Sequence, residues 1–167
     1  LEELLSDDKL KYKIGEVGTD SVFTRSFSVL AIDVILTYNL NGKYLTEDEM
    51  INTYDELLDY ISKEKDYRGF VEVKGWAHAI AHSADALSSL AKYEQFHNEE
   101  LKEMLDVIKS KVVIGSYEYK DREEARLGEA VRSILKRQVV DDKSLEEWVE
   151  SIINYEKIGN QEEDSII

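Results

Sequence analysis

Apolar residues recur at three- and four-residue spacings along most of the chain, the period of helices with one buried face. Leu1, Leu4, Leu5 and Leu10 make Leu1–Lys13 amphipathic, and Ile14–Thr19, with Gly15 and Gly18, reads as a connection. Asp20 or Ser21 caps a helix running to about Tyr38. Its apolar residues (Val22, Phe23, Phe27, Val29, Leu30, Ile32, Val34, Ile35 and Leu36) fall on nearly every side, which predicts full burial. This helix is expected to be too short, and at Arg25 and Asp33 too polar, to span a membrane. Asn39–Leu45 is a turn. Thr46-x-x-Glu49 is a capping box that opens a helix carrying Met50, Ile51, Tyr54, Leu57, Leu58 and Ile61.

Lys63–Val73 is a long loop, and a helix to about Gln95 follows it. Asn98 caps the next, with Leu101, Met104, Leu105, Ile108 and Val112 inward, and Val113–Tyr119 is extended or irregular. Asp121-x-x-Glu124 and Ser144-x-x-Glu147 open the last two helices, and Gly159–Ile167 is a polar tail. The count is about seven helices, so the expected fold is all-α. Antiparallel hairpins stack in it as a short HEAT- or armadillo-like solenoid, with a compact bundle as the alternative. Residues 1–158 form one helical domain in this reading, and 159–167 the tail.

The stretch Asp66–Asp85 is furthest from average composition. It holds two Gly, one of the two Trp and two of the three His. On a helical wheel started at Trp76, the residues Trp76, Ile80, Ala84, Leu87 and Ala91 share an apolar face, which predicts a buried Trp76. His78, His82 and Asp85 share the opposite face, beside Ala77 and Ala81. Lys74 and Gly75 then sit at the helix start, where free N–H groups favour an anion.

Three segments resemble the signatures of a bacterial family, domain of unknown function 2785. They are Ser21-Val-Phe-Thr-Arg-Ser-Phe27, Tyr67-Arg-Gly-Phe70 and Lys74-Gly-Trp-Ala-His-Ala-Ile-Ala-His-Ser-Ala-Asp85. Glu124-Ala-Arg-Leu-Gly-Glu-Ala-Val131 and Trp148 are similar to the family's C-terminal part, so the resemblance runs from about Asp20 to Trp148. Ser83 stands where the family pattern has Gly. The resemblance implies an all-helical protein and no particular activity. It also implies a longer N-terminus than this chain carries.

Composition narrows the partners. Thirty-six acidic residues against 21 basic ones give a net charge of -15 in 167 residues, which repels nucleic acid. With no Cys there is no disulfide or thiol chemistry, which fits a cytoplasmic protein. No membrane partner is expected. Proline is absent, and Gly marks the breaks between helices.

Candidate chemistry is sparse. His78-x-x-x-His82 lacks the Glu of a metalloprotease, because Ala79 follows the first His. A metal on His78, His82 and Asp85 is not expected, nor is any cofactor. Phe23-Thr-Arg25-Ser-Phe27 and Trp76-Ala-His78-Ala-Ile80 share a pattern, with Arg126 as a third copy at a period of about fifty residues. That repeat would align Arg25, His78 and Arg126 on one surface, joined by Arg68, Lys74 and His82. The expected function is a non-catalytic scaffold presenting a His/Asp/Arg face to a peptide, a protein or a small anion. The alternative is a hydrolase or lyase of a small polar substrate with His78 or His82 as general base.

Overall fold

The computed structural model describes residues 1–115 and 117–163. The chain is all-helical, with seven helices: α1 Glu2–Leu5, α2 Ser21–Gly42, α3 Glu47–Lys63, α4 Ala79–Leu90, α5 Asn98–Val112, α6 Glu123–Lys136 and α7 Asp142–Glu163. The packing is that of a helical bundle in two rows. α4 lies between α2 and α6 and makes the most extensive contacts, while α5 touches α3, α6 and α7.

The sequence of α4, Ala-Ile-Ala-His-Ser-Ala-Asp-Ala-Leu-Ser-Ser-Leu, explains its central place. Its small residues let neighbouring backbones come close, and every residue except Asp85 and Ser88 is buried. On α2, Val22, Val29, Ile32 and Leu36 turn inward and are fully buried. The other face of α2 is not covered: Phe27, Val34 and Tyr38 are exposed, which corrects the expectation of a helix buried all round. At 22 residues α2 is also long and apolar enough to cross a bilayer by length and composition. In this fold one side of it is core.

Local signals set several boundaries. Thr46 and Glu49 close the capping box: Glu49 N–H donates to Thr46 Oγ1 at 3.2 Å, and Thr46 N–H to Glu49 Oε2 at 2.8 Å. Other boundaries moved. α1 is a single turn followed by hydrogen-bonded turns to Ile14, and α2 runs on through Asn41 to Gly42 before Lys43 enters the left-handed region. α4 stops at Leu90. Ahead of α5, the N–H of His97, not that of Asn98, donates to Glu100 Oε2 at 2.8 Å. Asp141 caps α7 by accepting from Ser144 N–H at 3.0 Å. α7 continues through 159–163, where a tail was expected. The remainder of that tail, 164–167, lies outside the described residues.

The largest departure lies between α3 and α4. Phe70–Val71 (β1) pairs antiparallel with Gly75–Trp76 (β2), with Phe70 opposite Trp76. Pairing extends past the strands, since Ala77 N–H donates to Gly69 O at 2.8 Å and His78 N–H to Arg68 O at 3.1 Å. Gly75 has φ 93, which favours glycine there. Trp76 therefore belongs to a hairpin, not to α4, and the wheel that placed it in the core does not apply. It is 48% exposed.

Candidate functional site

Where the hairpin enters α4, His78 occupies the position before the first helical residue, in the left-handed region at φ 48 and ψ 33. Non-glycine residues rarely adopt that conformation, and held strain of this kind clusters at functional sites. Its imidazole lies 4.4 Å, centroid to centroid, from the Trp76 ring and 6.0 Å from His82. Phe70 meets Trp76 edge-on at 5.0 Å, and Phe27 of α2 meets His82 at 6.1 Å. Phe27, His82, His78, Trp76 and Phe70 thus form one continuous run of rings across α2, α4 and the hairpin. Phe27, Trp76 and Phe70 are exposed, and the two histidines lie lower.

His82 is anchored by α2. Its Nδ1 is 2.9 Å from Ser26 Oγ and 3.3 Å from the Ser26 carbonyl. Ser26 Oγ already donates to the Ala77 carbonyl. That pattern assigns the proton to His82 Nδ1 and leaves Nε2 as the free acceptor. Burial, together with the charges of His78 and Arg126, pushes the His82 pKa below its ordinary value and outweighs the opposing Ser26 hydrogen bond. Ser26 and His82 are no nucleophile–base pair: Ser26 is fully buried and its proton is committed to a carbonyl.

His78 faces α6. Its Nε2 is 3.6 Å from Glu123 Oε1, too long for a hydrogen bond, and both atoms are buried without a hydrogen-bond partner. Glu123 is held from the other side, because Asp121 N–H donates to its Oε2 at 3.0 Å. Asp121 Oδ2 accepts from Phe70 N–H at 2.8 Å, so the hairpin is tied to the start of α6. Gly69 runs against both carboxylates, and a Cβ there would lie 2.5 Å from Glu123 Oε1. The next turn of α4 presents Asp85, which pairs with Arg126 of α6. Burial pushes the Asp85 carboxyl up, against the pull of Arg126.

The other expected cations lie elsewhere. Arg25 is wholly buried in a fork with Glu64, with Nε to Oε2 at 2.6 Å and Nη2 to Oε1 at 2.9 Å. It also donates to carbonyls of Tyr12, Lys13 and Glu16. Arg68 is paired with buried Asp66 at 2.7 Å, and Lys74 with Asp20 at 2.5 Å. Arg25 points inward and Arg126 outward, so the aligned strip of Arg25, His78 and Arg126 does not form. Each of the four cations Arg25, Arg68, Lys74 and Arg126 has a carboxylate partner. Among the described residues no three His, Asp or Glu side chains converge to hold a metal ion.

The family model for the protein of unknown function DUF2785 matches residues 10–166. The chain belongs to this family. No curated protein and no solved structure matches it. The match spans every residue of the ring run and of the Asp121–Glu123 corner, so the DUF2785 chain carries the whole candidate site within the family region.

Several site residues were not legible in the DUF2785 sequence. Glu123 was hidden in an acidic helix start, and Asp121 read as a cap when it in fact receives the hairpin. Ser26 and Phe27 lie inside the Phe-Thr-Arg-Ser-Phe motif, whose one charged residue, Arg25, is buried with Glu64 away from the site. A Gly at 69 between Arg and Phe was the one local hint that a backbone passes close to other groups there.

Proposed function

We propose that this protein is a non-catalytic binding module that holds a peptide or a protein segment across the ring run from Phe27 to Phe70. The observation that carries the reading is the set of exposed aromatics, Phe27, Trp76 and Phe70, over the partly buried His78 and the buried His82. Large rings held at fixed positions give binding energy at little entropic cost, and aromatic anchors dominate interfaces. The small-residue helix α4 supplies a floor between α2 and α6. The packing of α4 between α2 and α6 also supports reading α2, α4 and α6 as successive members of helix hairpins, although the residue pattern expected to mark the repeat lies within α2 in one copy and in the hairpin and start of α4 in the other.

A small anion is a weaker candidate, since the cations around the face carry acidic partners. The hydrolase or lyase reading draws on His82, whose low pKa suits a base. Against it stands the absence, among the described residues, of an unpaired cation to stabilise developing charge beside His82.

The test is selection from a displayed random-peptide library against the intact protein, followed by titration calorimetry of the enriched peptides. Binding that falls at least tenfold in Trp76→Ala and in Phe27→Ala supports the module. Enriched peptides that bind both variants as tightly as the wild type, or no enrichment, would overturn it.

A further inference from the structure

Resting on that reading, we infer that the bound segment places a cation, a lysine ammonium or an arginine guanidinium, against Glu123 beside His78 and Trp76. Glu123 is 1% exposed, and its Oε1 has no hydrogen-bond partner. The carboxylate is not merely waiting for His78. Asp121 N–H fixes Oε2 from behind, and the hairpin passes at Gly69, so Oε1 stays aimed at His78 Nε2. Glu123 Oε1 can accept from an incoming nitrogen at about 2.9 Å, and with its proton on Nδ1 the His78 imidazole can accept through Nε2, 3.6 Å away, from the same nitrogen.

His78 covers Glu123 Oε1; its side chain is 13% exposed and its Nε2 makes no hydrogen bond, so displacing this imidazole uncovers the carboxylate. The Trp76 ring lies 4.4 Å from that imidazole, centroid to centroid, and is 48% exposed, so an indole is at hand for a cation at this position. Charge points the same way. Arg126, Lys74, Arg68 and Arg25 are matched by Asp85, Asp20, Asp66 and Glu64, whereas the carboxylate of Glu123 has only the long approach of His78. The chain as a whole, at -15, draws basic segments toward it.

The probe is a short alternating Lys/Leu peptide, with its Glu/Leu counterpart as control, titrated into wild type, Glu123→Gln and Glu150→Gln. Glu150 is an exposed acid on α7 and reports general charge attraction. The Lys/Leu peptide is expected to bind, to lose roughly tenfold or more in affinity with Glu123→Gln, and to be unaffected by Glu150→Gln. Equal losses in the two variants, no loss with Glu123→Gln, or equal binding of the Glu/Leu peptide would overturn the inference. If Glu123→Gln does not fold, imidazole proton shifts in the wild type decide: movement of His78 with His97 still supports it, and movement of both or neither refutes it. Library peptides that need Trp76 but carry no basic residue would sink this inference and leave the binding module standing.

Discussion

Arg25 and Glu64 lock α2 to the end of α3 through a two-pronged, fully buried ion pair. Tyr60 donates to the same carboxylate at 3.0 Å, and the N–H groups of Lys65 and Asp66 donate to it at 3.0 and 2.9 Å. Glu64 therefore sets the path of the chain as it leaves α3 for the hairpin. Arg25→Ala leaves that carboxylate buried and without its counter-ion, and is expected to cost about 3–5 kcal/mol in urea unfolding. A cost under about 1 kcal/mol would show that the pair is incidental.

Trp76→Ala is expected to cost less than about 2 kcal/mol, because the ring sits half in solvent on a two-stranded hairpin. Leu87→Ala, at a fully buried α4 position, is expected to cost about 2–5 kcal/mol. The two unfolding midpoints measured side by side check the assignment. A loss for Trp76 as large as that for Leu87 would return the ring to the core.

At position 69 the constraint is space. A methyl group there overlaps Asp121 and presses on Glu123. Gly69→Ala should destabilise by about 1–3 kcal/mol, the range for overpacking, and should loosen the hairpin. Hydrogen exchange of the Phe70 amide, bonded to Asp121, is the local readout. Unchanged protection of that amide would show that Gly69 is not held by lack of space.

His82 gives a pH dependence of known sign. Its folded pKa lies below its unfolded value, so the unfolded chain takes up the proton first. The contribution to stability is complete above the unfolded pKa of ~6.5 and is lost as pH falls from there through the folded pKa. Melting temperatures between pH 7.5 and pH 5 should drop more for wild type than for His82→Gln. Parallel curves would show that burial does not shift His82.

What could be read from the sequence, and what could not, divides along physical lines. The helices rest on local periodicity and capping, so Thr46–Glu49 and most of the apolar spacing of α3 and α5 appear in the structure where the pattern put them; Ile51 and Val112, expected on the apolar faces, are exposed instead. His78, His82, Asp85 and Arg126 were named from the sequence, and the structure brings them together. Trp76 departs from the wheel because α4 begins only at Ala79, and His78, with its positive φ, breaks the helical path between them. The exposed face of α2 was missed because apolarity alone cannot separate a buried helix from a helix with an uncovered apolar side. Glu64 and Glu123 were invisible because nothing local distinguishes a buried acid among 36 acidic residues.

A bound segment is expected to lie across the ring run from Phe27 to Phe70. Hydrogen–deuterium exchange with and without a library-selected peptide measures this directly. The predicted result is protection confined to the hairpin at 69–78, the first turns of α4 and the part of α2 around Phe27. Protection centred on α5 or α7, with the hairpin unchanged, would contradict it.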